Sequence, residues 1–142
     1  MKVAIASDHG GYELKENLKK HYEKQGLVLQ DLGAFCGESC DYPDIAKIMV
    51  DKIKSGAADK GILICGTGIG ISMAANRYKG IRAALVYNDY TAEMSRKHND
   101  ANIIALGGRV ISPEDAARYV DIFLKTEFEG GRHLRRIEKL DL

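Results

Sequence analysis

The chain has 142 residues, 21 Lys and Arg against 20 Asp and Glu, 15 glycines, three cysteines and no tryptophan. A domain of this length buries roughly two-thirds of the surface its unfolded chain exposes, so it needs no staple, and a net charge of +1 excludes a nucleic-acid coat or a membrane-surface protein. Three cysteines, an odd number, exclude a disulfide-rich secreted scaffold and point to a reducing cytoplasm.

The opening MKVAIASDHGG is interrupted by Asp8 and His9 and lacks the apolar core of a signal peptide, and no run approaches the ~18 apolar residues of a membrane span. Residues 2–7 form a short apolar run closed by Asp8-His9-Gly10-Gly11, which predicts a buried strand ending in a glycine turn. Leu14, Leu18 and Tyr22 then recur every fourth residue among Lys and Glu and predict an amphipathic helix. Residues 27–32 supply a second strand. Cys36 and Cys40 follow as C-x3-C, and with no second Cys/His pair to complete a tetrahedral site they read as loop thiols. Ile45, Met49 and Ile53, placed after Pro43, predict a second helix.

Residues 61–65 are another apolar run, closed by Gly66-Thr67-Gly68-Ile69-Gly70, with Ile71, Met73 and Ala74 opening a helix. A strand over 81–87, a helix over about 90–99, a strand over 102–106 and a helix capped by Ser112 and started by Pro113 continue the alternation. From about residue 127 the pattern changes to a glycine bend and a short arginine-rich helix. The prediction is one α/β domain over 1–142, a three-layer α/β/α sandwich with a five-stranded, mainly parallel, Rossmann-like sheet, and a C-terminal helical arm over about 127–142.

Such sheets bind ligands at the carboxyl ends of strands, where the crossovers change direction. If the strands over 2–7 and 61–65 are neighbours, Asp8, His9 and Cys65 meet in one cleft. The glycines from 66 to 70 allow successive amides to turn inward on an anion, although a tight turn is the plain alternative. The segment is neither a P-loop nor the dinucleotide fingerprint, which requires glycine where Ile71 stands. Cys65 is placed where loop amides could stabilise a thiolate, and equally where a strand end buries a small hydrophobe. His98 suits acid–base work or a helix C-cap, whereas His21, among lysines, reads as surface. Arg132 and Arg136 share one helical face, either for bidentate phosphate recognition or for solvent, and Arg109 follows the fifth strand at the carboxyl edge.

Five blocks in order, Ser7-Asp8-His9-Gly10-Gly11, Asp41-Tyr42-Pro43, Ile64 to Ser72, Ser95-Arg96-Lys97-His98-Asn99-Asp100 and Glu129-Gly130-Gly131-Arg132-His133 with Arg136, resemble the type B ribose-5-phosphate isomerases, a family that includes galactose-6-phosphate isomerase subunits. The resemblance implies an aldose–ketose isomerase of the pentose phosphate pathway, working through an enediolate without metal or organic cofactor. By position it makes Cys65 the base that moves the carbon-bound proton, with Thr67 near the thiol. Amides of Gly66, Thr67, Gly68, Ile69 and Gly70, with Asn99, would hold the oxyanion. His98 would open the sugar ring and Asp8 would meet substrate hydroxyls. Arg109, Arg132, Arg136 and His9 would receive the phosphate, and Tyr42 would line the pocket. Relatives that lack the cysteine use a glutamate in the following helix, but Ala74-Ala75-Asn76 offers no carboxylate here. The resemblance also implies homodimers or tetramers with sites shared between subunits. Other readings are an isomerase of another sugar, such as an allose or galactose 6-phosphate, or a non-catalytic phosphosugar-binding module. A thiol redox protein is disfavoured by the absence of C-x-x-C.

Overall fold

The runs Ile62–Ile64 and Ile103–Leu106 are 0 % exposed along every residue, which requires helices on both faces of the sheet. The structure, a computed structural model, describes residues 1–34 and 39–141, so the expectation for Cys36 lies outside the described residues. Among these, five strands, β1 (Val3–Ser7), β2 (Gln30–Asp31), β3 (Lys60–Cys65), β4 (Ala83–Leu85) and β5 (Ile103–Gly107), pair in the order β2-β1-β3-β5-β4, all in parallel. Helices α1 (Tyr12–Glu23), α2 (Tyr42–Lys54), α3 (Ile69–Ala75), α4 (Asp89–Lys97), α5 (Pro113–Lys125) and α6 (Arg132–Glu138) complete the predicted sandwich and arm.

Alternation along the strands divides the core. Val3, Ile5, Ile62, Ile64 and Ile104 face α1 and α5, packing on Leu14, Leu18, Tyr22, Val120 and Phe123. Ala4, Ala6, Leu63, Cys65 and Ile103 face α2 and α3, packing on Ile45, Met49, Val50 and Ile71. Full burial of a side chain such as Phe123 contributes about 1.5–3 kcal/mol.

The second strand is shorter than the sequence predicts, because Val28 is 79 % exposed and its side of the sheet is an edge. Backbone pairing with β1 nevertheless runs on beyond Asp31, through Leu32 N–H to Ile5 O, Ser7 N–H to Gly33 O and Ala34 N–H to Ser7 O. The fourth strand is likewise trimmed to three residues at the opposite edge. Ser112 caps α5 as expected, accepting from Asp115 N–H at 3.1 Å. His21 is half-buried and bonded to Gln25 at 3.0 Å rather than freely solvated.

A buried ion pair fixes α1 to the end of β2. Lys15 is 0 % exposed, and its Nζ lies 2.6 Å from Asp31 Oδ2. Burial alone would raise the Asp31 pKa, but hydrogen bonds from Lys15, Lys19 and Gly33 N–H outweigh it, and the carboxyl ends below its ordinary value. A depressed carboxyl stabilises the fold above the unfolded pKa and loses that contribution as pH falls through its folded value. Asp31→Asn is therefore expected to cost about 3 kcal/mol at pH 7, since Lys15 stays buried without its nearest carboxylate. Denaturant melts across pH check this, with the deficit of the variant shrinking below pH ~4.

Candidate active site

β1 leaves through α1 to one side of the sheet and β3 leaves through α3 to the other, so their carboxyl ends flank a crevice. Three loops interlock there. Asp8 N–H donates to Ile64 O, Gly108 N–H to Cys65 O and Arg109 N–H to Gly66 O. A side chain on Gly108 would meet Gly10 O at 2.8 Å, so the turns after β1 and β5 touch backbone to backbone. Gly68 has φ 81°, and a Cβ on it would sit 2.7 Å from Leu85 Cδ1 and 2.9 Å from the Leu106 carbonyl carbon. Only glycine fits that position on both counts.

This junction aims Cys65. The thiol is 5 % exposed at the end of β3, and its Sγ accepts from Gly68 N–H at 3.1 Å. Thr67 Oγ1 accepts from Ile69 N–H at 3.2 Å. The amides of Gly66, Thr67 and Gly70 find no intramolecular acceptor among the described residues. Asp8 is 6 % exposed and accepts from Gly10 N–H at 2.9 Å, which fixes the 3-10 turn His9–Gly11. His9 Nδ1 accepts from Cys40 N–H at 3.3 Å, so a neutral ring carries its proton on Nε2. Tyr42 opens α2 and packs over Gly70, where a Cβ would come 2.8 Å from the ring. The exposed Arg109 lies over Gly66, with Nη1 3.2 Å from where a Cβ would project.

His98, Asn99, Arg132 and Arg136 belong to a second constellation. α4 runs back from the carboxyl edge, and Arg82, directly before β4, donates through Nε to Asn99 O at 2.9 Å. Gly61 N–H, at the start of β3, donates to Asn102 O. These contacts fix the 98–102 turn at the amino edge of the sheet. The arm returns to the same edge, where Glu129 N–H donates to Lys97 O. The six residues of β3 therefore separate His98 from Cys65, roughly 17–20 Å within one chain.

At that edge His98 stacks on His133, centroids 4.2 Å apart and planes 16° apart, and Glu129 Oε1 lies 3.8 Å from His98 Nε2. Burial, then His98 and then Arg132, hold His133 below the ordinary imidazole pKa. Although His98, Glu129 and His133 bring three possible ligand atoms within 4.8 Å of one another, the nearly parallel rings do not direct their lone pairs at a common point. Arg132 and Arg136 are exposed, and no carboxylate partner is present for them among the described residues. The stacking of His133 on His98 is a contact that helical spacing within either segment could not reveal, since it joins two distant segments.

The structure thus brings Asp8, His9, Tyr42, Cys65 to Gly70 and Arg109 together at one edge, and His98, Asn99, Arg132 and Arg136 at the other. Among the described residues no helix is long and apolar enough to cross a membrane.

Residues 3–140 match the family model described as Ribose/Galactose Isomerase. The chain is 43 % identical over 139 residues to ribose-5-phosphate isomerase B of Escherichia coli, covering 98 % of this chain and 93 % of that protein. The crystal structure of a ribose 5-phosphate isomerase from Thermotoga maritima superposes with a TM-score of 0.97 at 54 % identity, covering 99 % of this chain and 97 % of that one. Ribose-5-phosphate isomerase B from Mycoplasma genitalium, solved with bound ribulose-5-phosphate, gives a TM-score of 0.92 at 45 % identity, covering 98 % and 93 %.

Proposed function

The chain belongs to the ribose/galactose isomerase family, and from that premise we propose that it interconverts D-ribose 5-phosphate and D-ribulose 5-phosphate by proton transfer through an enediolate. The observation that carries the proposal is the buried thiol of Cys65, held at the switch point of the sheet with Gly68 N–H on its sulfur at 3.1 Å.

Aldose and ketose differ only in the position of two hydrogens, so no electron acceptor is needed and the proposal includes neither metal nor organic cofactor. In the open-chain aldose the carbonyl at C1 acidifies the C2 proton. The Cys65 thiolate, with Thr67 near it, takes that proton and returns it to C1, while the hydroxyl proton of O2 passes to O1, so that C1 becomes the alcohol and C2 the ketone. Negative charge moves onto the oxygens as the proton leaves, and the loop amides between Gly66 and Gly70 that have no intramolecular acceptor among the described residues, those of Gly66, Thr67 and Gly70, meet it together with Asn99. Donors preset for that charge act on the transition state more than on the ground state.

His98 exchanges a proton with the ring oxygen to open the furanose. Asp8 holds hydroxyls, and Tyr42 walls the pocket. Arg109, Arg132, Arg136 and His9 bind the phosphate, an anchor whose binding energy keeps a flexible open chain in register. Because Cys65 and His98 stand at opposite edges of one sheet, a working site joins the carboxyl edge of one copy to the amino edge of another. The enzyme is accordingly a homodimer, or a tetramer built from dimers, acting in the cytoplasm within the pentose phosphate pathway.

The test is turnover on ribose 5-phosphate, allose 6-phosphate and unphosphorylated ribose. Loss of the phosphate is expected to lower kcat/KM by about a thousandfold or more, as two or three charge-assisted contacts disappear. Allose 6-phosphate is expected to turn over more slowly than the pentose. Equal values for ribose with and without phosphate would remove the arginines from the site.

A further inference from the structure

The turn that carries His98 and Asn99 is held by side chains that the reaction above does not use. Within it, Asp100 adopts φ 45°, a left-handed region that few residues other than glycine, asparagine and aspartate enter. Its carboxylate is engaged from two sides. Arg96 Nη1 donates to Oδ1 at 2.8 Å, and Arg82 Nη2 lies 3.5 Å from Oδ2. Arg82 also donates to the backbone of the turn, through Nε to Asn99 O at 2.9 Å and through Nη2 to Asp100 O at 3.0 Å.

Arg96 is 7 % exposed and extends the same network. Its Nη1 donates to Ala101 O at 2.7 Å, and its Nε donates to Thr126 O at 3.1 Å, where α5 ends and the arm begins. The two guanidinium groups therefore tie together the approach to β4, the end of α4 and the foot of the arm. The planar fork of arginine makes such a node rigid, since each ring of contacts fixes both position and orientation.

We propose that Arg82, Arg96 and Asp100 form a clamp that positions His98 for proton transfer at the sugar ring. Asp100 is its central positioning residue, although it touches no substrate. The proposal rests on the role given to His98 above. A simple helix-terminating role for Asp100 would affect stability and leave the chemistry alone, which separates the two by experiment.

Asp100→Gly suits φ 45° but removes both carboxylate contacts, whereas Asp100→Asn tolerates the same backbone and keeps an oxygen for Arg96. With ribose 5-phosphate, Asp100→Gly is expected to lower kcat about tenfold or more with KM changed less than about threefold, because a group held loosely misses its reactive geometry. Asp100→Asn is expected to keep at least about a third of kcat, a rescue that follows from the retained acceptor. In a His98→Asn background, adding Asp100→Gly is expected to cause little further loss, since residues acting as a unit are not additive. Wild-type kcat in Asp100→Gly beside an impaired His98→Asn would overturn the clamp alone. Full additivity of the two changes would do the same. Undiminished kcat in His98→Asn would overturn the role of His98 and the clamp with it.

Discussion

Replacing Cys65 with alanine is expected to lower kcat for ribose 5-phosphate by at least about a thousandfold, the range that a positioned general base supplies. The change removes one sulfur from a tightly packed position and leaves β3 paired on both sides, so the melting temperature should shift by only a few degrees. Binding of ribitol 5-phosphate, which carries the phosphate but has no carbonyl to isomerise, should persist because its anchor is provided by arginines. Cys65→Ser is the sharper control. A hydroxyl retains an acceptor for Gly68 N–H, yet its proton is held far more tightly than that of a thiol, and it should be nearly as inactive as alanine. Stopped assays of ribulose 5-phosphate formation, alongside calorimetric binding of ribitol 5-phosphate, check both parts. Turnover near wild type in either variant would remove Cys65 from the reaction, and loss of ribitol 5-phosphate binding would move it into the anchor.

Much of this was legible from residue order. Apolar runs ended by glycines located β1, β3 and β5, and the Ser112-Pro113 pair located the start of α5 with its cap. The adjacency of β1 and β3, which brings Asp8 beside the Cys65 loop, followed from the ordinary logic of doubly wound sheets. Edge strands were harder. The apolar content of 27–32 and 81–87 suggested full strands, but β2 and β4 have a neighbour on one side only, so regular pairing lapses where Val28 and Tyr87 turn to solvent. A site shared between subunits was implied by the resemblance, but which residues lie at which edge of the sheet was not legible. Cys65 and His98 are each conspicuous in sequence, yet strand direction and helix return decide that they face apart, and neither is a local property. The clamp around Asp100 was hidden for a similar reason, because Arg82 reaches it from 18 positions away.

That division has a large and specific consequence. Cys65→Ala and His98→Asn are each expected to be inactive as homodimers. When the two chains are co-expressed with different tags and the mixed dimer is isolated, one of its two sites unites both lesions. The other unites the intact Cys65 of one chain with the intact His98 of its partner. Such heterodimers are expected to recover about half of the wild-type activity per dimer, and a random mixture of the two chains about a quarter, as two-fold symmetry with shared sites requires. If instead each chain folded its own complete site, every site in the mixed dimer would carry one lesion and activity would stay at background. The separation along β3 makes that second outcome geometrically expensive. Side chains of cysteine and histidine together span much less than the roughly 17–20 Å that six strand residues impose, so a self-contained site would need the His98 turn to leave the Arg82 and Arg96 contacts that hold it at the amino edge.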